Sequence, residues 1–111
     1  MDKINNYRSI IKQILSQHAE YTLSYGEVET IPTFDERSDS YLLLDVGWGK
    51  TGRVHSVPLH LRIKQDKIWV ERDNTDIGIA EELLEAGVLK EDIVLGFYRP
   101  ARRKITEFAV A

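Results

Sequence analysis

Apolar and polar positions change their spacing twice along this chain, and the changes divide it into elements. Ile4, Tyr7, Ile10, Ile11, Ile14, Leu15 and His18 recur at steps of three and four, with Lys, Asn, Arg and Gln between them. That spacing predicts an amphipathic helix whose apolar stripe needs a surface to cover. Asp2 stands where it would cap this helix or favour the positive end of its dipole, and the Ser24 to Gly26 region falls in the loop that follows.

From Glu27 to Val70 the period becomes two. Val28, Thr30 and Phe34 share one parity and Glu29 and Thr33 the other, which predicts a strand. The turn-prone cluster Asp35 to Asp39 precedes a second strand, Tyr41 to Trp48, that sets Leu42, Leu44, Val46 and Trp48 on one face. Gly47, Gly49 and Gly52 surround the next reversal. Val57, Leu59, Leu61 and Ile63 then alternate with Pro58, His60, Arg62 and Lys64, a third strand with Pro58 at an edge or bulge. A Gln65-Asp66 turn leads to Ile68-Trp69-Val70. Connections this short suit antiparallel neighbours, because a parallel pair needs a long crossover.

Asp73, Asn74, Thr75 and Asp76 supply capping residues ahead of Ile79, Ala80, Leu83 and Leu84, and Gly87 followed by Val88 reads as a helix stop. Ile93-Val94-Leu95 is read as extended, Pro100 to Lys104 as a basic connector, and Phe108, Ala109 and Val110 as a terminus that packs back onto the body. The predicted fold class is α+β. An N-terminal helix is followed by an antiparallel meander of about four strands, a second short helix and a C-terminal extended segment. A length of 111 residues suits a single domain, 1–111, with one core.

Composition narrows the function more than it names one. With 42% hydrophobic and 30% charged residues the chain is an ordinary globular sequence. No apolar run approaches the roughly 18 residues of a membrane helix. The start, MDKINN, lacks the apolar core of a secretory signal. A soluble, unexported protein of the cytoplasm is expected. Cysteine is absent, which removes disulfides, thiolate metal sites and cysteine nucleophiles. The net charge of −3 argues against binding nucleic acid by charge alone. Charge is uneven, however: from Phe97 onward Arg99, Arg102, Arg103 and Lys104 face only Glu107, so this tail stands at +3 and the remainder at −6.

Candidate chemistry is thin. Gly49-Lys50-Thr51 suggests the end of a phosphate-binding loop, but the position five residues before Gly49 is Leu44, not glycine, and the chain continues as a strand where a helix is needed. A glycine-rich hairpin turn is the simpler reading. His55 and His60, five apart on one strand, should point to opposite faces unless Pro58 makes a bulge, and His18 lies on a helix. Asp73 and Asp76 could hold a metal in a small enzyme or nuclease subunit, or could cap a helix. Trp69 differs in parity from Ile68 and Val70, and with Tyr41 and Leu43 it either marks an exposed protein interface or is buried by a helix or the C-terminal tail. Arg99, Arg102, Arg103 and Lys104 either form a solvated connector or contact a partner or nucleic acid.

Seven stretches in order carry a resemblance. They are Tyr25-Gly26-Glu27-Val28-Glu29, Leu44-Asp45-Val46-Gly47-Trp48, His60-Leu61-Arg62-Ile63-Lys64, Lys67-Ile68-Trp69-Val70, Gly78-Ile79-Ala80-Glu81-Glu82-Leu83, Lys90 to Phe97 and Phe108-Ala109-Val110. Together they resemble the XisI-like family, the fdxN element excision controlling factors of cyanobacteria. The resemblance implies an accessory, non-enzymatic role in programmed excision of a DNA element, beside a recombinase and a companion XisH-like protein. DNA would then be reached indirectly through the recombination complex. It implies no catalytic residue, and the residues themselves lead to no expected cofactor or metal. A sheet with an unprotected edge further suggests a homodimer.

Overall fold

Lys3–Tyr21 coil into α1, and its stripe lands as the spacing requires, with Tyr7, Ile11, Ile14 and Leu15 buried. The computed structural model describes residues 3–21, 27–75 and 78–110, so Asp2, the Ser24 to Gly26 loop and Asp76 lie outside the described residues. Four strands follow as an antiparallel meander: β1 (Glu27–Asp35), β2 (Ser40–Gly49), β3 (Gly52–Lys64) and β4 (Lys67–Asp73). Two of the reversals are two-residue hairpins. Lys50 and Thr51 close the first, so Gly49-Lys50-Thr51 is a hairpin tip and not a phosphate loop. Gln65 and Asp66 close the second with φ of 54° and 62°, the paired positive values of a turn whose twist matches the strands it joins.

The chain then crosses over through α2 (Ile79–Glu85) and a 3-10 turn at Lys90–Asp92 to β5 (Ile93–Leu95), which pairs with β4 in parallel. Such a parallel return needs the helical crossover that α2 provides. The sheet is therefore five-stranded in the order β1-β2-β3-β4-β5, one strand more than the sequence spacing resolved. Pro100–Arg103, expected as a connector, make a short helix, α3, entered by the proline at its first turn. The terminus packs back as expected: Ala109 bridges Val94, its N–H donating to the Ile93 carbonyl at 2.9 Å.

All of the helix-facing burial falls on one side of the sheet. Tyr41 and Leu43 of β2, Leu59, Leu61 and Ile63 of β3, Ile68 and Val70 of β4 and Ile93 of β5 pack with α1, α2 and Val88 in one cluster. Burying one aliphatic side chain is worth roughly 1.5–3 kcal/mol. Ile11, Ile14 and Leu15 of α1, with Tyr7 beside them, are therefore a large favourable contribution to the core.

Polar contacts fix where α1 sits. Arg8 grips Asp39 with both arms of its guanidinium, Nε to Oδ1 at 2.8 Å and Nη2 to Oδ2 at 3.1 Å, and the Tyr41 hydroxyl donates to the same carboxylate at 2.8 Å. The Arg8 fork holds the Asp39 carboxyl below its ordinary pKa. Before β5, at the same strand end but across the sheet, the buried Asp92 accepts from the Tyr7 hydroxyl at 2.6 Å and from Lys3 Nζ at 3.2 Å. Burial first, then this bond to a carboxylate, pushes the Tyr7 hydroxyl up to about 12.

Candidate interaction surface

Register decides which side chains share a face. Tyr41 lies opposite Leu61, which lies opposite Val70, and Leu43 lies opposite Leu59. These point toward α1. Trp69 lies opposite Arg62 and therefore points the other way. The reading of Tyr41, Leu43 and Trp69 as one exposed patch is thus corrected: they occupy two faces, and each is buried within the chain, at 0%, 3% and 8% exposure. The physical reason lies in β3. Its Leu59, Leu61 and Ile63 give α1 an unbroken apolar floor, whereas the opposite parity presents His60, Arg62 and Lys64.

Trp69 owes its burial to the C-terminal tail. The Arg103 guanidinium lies over its ring at 5.0 Å and Lys64 Nζ at 4.6 Å, while Gly96 passes so closely that a Cβ there would sit 3.2 Å from the indole. Arg103 also donates to the backbone carbonyls of Tyr98 (2.9 Å), Val110 (3.3 Å) and Gly96 (3.5 Å). It is the staple that holds the tail on the sheet. Of the four basic candidates, this one is therefore engaged structurally. Arg102 rests over the Tyr98 ring at 5.1 Å. Arg99, Arg102 and Lys104 are exposed, and among the described residues no ion pair engages them. They form a basic rim on α3.

The tail covers Trp69 of β4 and pairs along the β5 edge. On the same side, β1, β2 and β3 carry no covering element among the described residues, and here the stripe Leu42, Leu44, Val46 and Trp48 lies half-buried to exposed, with Trp48 at 57%. Ile31 of β1 lies opposite Leu44 and widens the stripe. Glu27 and Glu29 flank it on the β1 side, Arg53 and His55 on the β3 side. Arg53 lies over the Trp48 ring at 5.6 Å. It is a contiguous apolar surface rimmed by charge, a type of surface that in soluble proteins often serves as an interface.

Pro58 shapes this face. Between Leu43 and Asp45 the pairing moves two residues along β2 but three along β3, from Leu59 to Ser56, so the extra residue is a bulge beside Pro58. The bulge turns His55 to the same side as His60, the condition under which the two histidines share a face. They stand opposite Val46 and Leu42, four residues apart along β2. His60 bonds to Ser40 Oγ through Nε2 at 2.8 Å, and burial holds its pKa below the ordinary histidine value. His18 pairs with Glu82 at 2.6 Å and ties α1 to α2.

Of the candidate metal carboxylates, Asp76 lies outside the described residues and Asp73 has another occupation. Asp73 Oδ2 accepts from the Ile79 N–H at 2.8 Å, and its Oδ1 accepts from the Thr75 N–H at 2.9 Å and from the Thr75 hydroxyl. It caps α2 from a distance, with the Gly78 N–H donating to Thr75 Oγ1 at 3.2 Å beside it. Among the described residues no group of three or more His, Cys, Asp or Glu side chains is placed to hold a metal ion. No described helix is long and apolar enough to cross a membrane.

The family model described as XisI protein matches residues 1–110. The chain belongs to the XisI family. Two solved XisI structures from Anabaena variabilis ATCC 29413 share its fold over 99% of this chain and 100% of theirs. One, a XisI-like protein, is 34% identical with a TM-score of 0.91. The other, the fdxN element excision controlling factor XisI, is 40% identical with a TM-score of 0.85. Among curated proteins none matches the chain. The resemblance carried by the seven stretches is thereby established for the family, and the α+β architecture with it.

Proposed function

We propose that this XisI-family chain is a non-enzymatic accessory factor that controls excision of a DNA element by binding other proteins, a companion XisH-like protein and a recombinase among them. The observation that carries the reading is the distribution of its unspent surface. Among the described residues, Asp73 caps α2, His18 pairs with Glu82, and Asp39 and Asp92 anchor α1, so these polar side chains serve the structure. The described surface also offers an apolar sheet face and a basic rim, which are the materials of assembly. The name of the solved relative, an excision controlling factor, agrees with that role.

The basic rim of Arg99, Arg102 and Lys104 is the surface we assign to the companion, with DNA reached indirectly through the complex. A net charge of −3 leaves the isolated chain poorly suited to hold a duplex by itself. The test is a reporter in which a recombinase excises a marked DNA element in cells that carry the companion, with and without this chain. Excision that depends on the chain and falls when Arg102 and Lys104 are both changed to Glu supports the role. Excision that ignores the chain would refute it.

A further inference from the structure

We propose that the open face of the sheet is where two copies of this chain meet, stacked face to face about a two-fold axis that runs along β2. The proposal rests on the reading of the chain as a protein that works by assembly, and it names the first partner as a second copy.

Charge placement selects both the occupant and the axis. β2 is flanked by β1 and β3, and on the open side the flanks differ in sign. Glu27 and Arg53 stand either side of Trp48, and Glu29 and His55 stand either side of Val46. A half-turn about an axis parallel to β2 keeps each residue's height along the strand and exchanges left for right. The second copy's Glu27 then lies over Arg53, its Glu29 over His55, and the two apolar stripes lie on each other. A half-turn about the perpendicular in-plane axis would instead lay the glutamate row on a glutamate row, a like-charge arrangement that costs energy. One chain thus carries a surface complementary to itself in a single orientation, as an isologous dimer requires.

Shape agrees with charge. The tail covers Trp69 of β4 with Arg103 and pairs at Ala109 beside the β5 edge, away from β1 and β2. In the stacked pair the second copy's β1 ends over β3, so its edge stops short of the tail. Pairing through the β1 edge, the other route to a dimer, is blunted by Pro32 in the middle of that strand, which offers no N–H. Three strands at about 4.8 Å spacing and roughly 30 Å length give roughly 430 Å² of plan area per copy. Two such faces bury roughly 900 Å², near the lower limit of specific interfaces, so the dimer should be reversible.

Sedimentation velocity of the full chain from about 1 to 100 μM tests this, with a mass that moves from monomer to dimer across that range expected for so small an interface. Glu27→Arg and Arg53→Glu each place like charges across both symmetric contacts, and each alone should weaken the dimer by at least about tenfold. Mixed in equal amounts they should form a heterodimer, because both contacts again join opposite charges. Both positions are exposed, and a thermal melt confirms that each variant folds. Leu44→Lys should be monomeric. A wild-type chain that stays monomeric throughout overturns the proposal, including one that uses this face only for an unrelated protein. So does a Leu44→Lys chain that still dimerises, or a mixture that fails to regain the dimer. None of these results depends on the excision assay, so this assignment and the accessory role fail separately.

Discussion

Replacing Arg103 with alanine should destabilise the protein far more than the same change at its neighbour Arg102. The Arg103 guanidinium makes one well-formed hydrogen bond to the Tyr98 carbonyl at 2.9 Å, two longer ones at 3.3 and 3.5 Å, and a stacking contact with Trp69. A hydrogen bond from a charged donor contributes about 1.5–3 kcal/mol when shielded, and a partly desolvated cation over an indole about 0.5–2 kcal/mol. Discounting the two long bonds and the partial exposure, a loss of about 2–3 kcal/mol follows, equivalent to a drop of roughly 10 °C in Tm for a chain of this size. Among the described residues the Arg102 side chain has its contact with the Tyr98 ring at the surface, worth about 0.5 kcal/mol. Urea unfolding followed by far-ultraviolet circular dichroism, with tryptophan fluorescence of a Trp48→Phe background reporting on Trp69, measures both. Arg103→Lys should recover little, because the planar fork that reaches three carbonyls is lost. Equal midpoints for Arg103→Ala and Arg102→Ala would refute the assignment of Arg103 as the staple of the tail.

Gly47 has φ of 150°, and a Cβ there would sit 1.8 Å from the Glu27 carbonyl oxygen, so Gly47→Ala must displace β1 and should cost about 3 kcal/mol in urea unfolding. Tyr7→Phe leaves Asp92 without its buried donor and should lose about 1–3 kcal/mol at neutral pH. Because the Tyr7 hydroxyl is raised from 10.0 to about 12, its contribution is complete below pH 10 and is lost as pH climbs toward 12; the variant should lack that alkaline limb. Asp39 shifts the opposite way: its pKa is lowered from 3.8, so its contribution is complete above that value and is lost as pH falls through the lower folded value. Asp39→Asn should flatten the acid limb of the stability profile below pH 3.8, measured by thermal melts at stepped pH.

Local periodicity was enough to place α1, the four-strand meander and α2, because each buries one regular face. It was not enough to tell which face of the sheet α1 would choose. Both parities of β2 are apolar, Tyr41 and Leu43 on one side and Leu42, Leu44, Val46 and Trp48 on the other. The deciding information lies in β3, where the first set meets Leu59 and Leu61 and the second meets His60 and His55. Cross-strand register, not the spacing within one strand, carries that signal. The bulge at Pro58 is legible as a proline in a strand, yet its consequence, both histidines on one side, depends on counting residues in the partner. β5 is three residues long and defined by its neighbours, which is why an apolar triplet alone could show only that it is extended. Among the basic residues, nothing in the run Arg99 to Lys104 singles out Arg103 for structural service. Its distinction arises from the way α3 turns it under toward Trp69.

Light scattering coupled to size-exclusion chromatography of this chain mixed with an XisH-like companion asks most directly whether it works by assembly. The expected result is a co-eluting species heavier than either protein alone, lost when Arg102 and Lys104 are both changed to Glu. Two proteins that elute separately, each at its own mass, at concentrations of about 100 μM would contradict it.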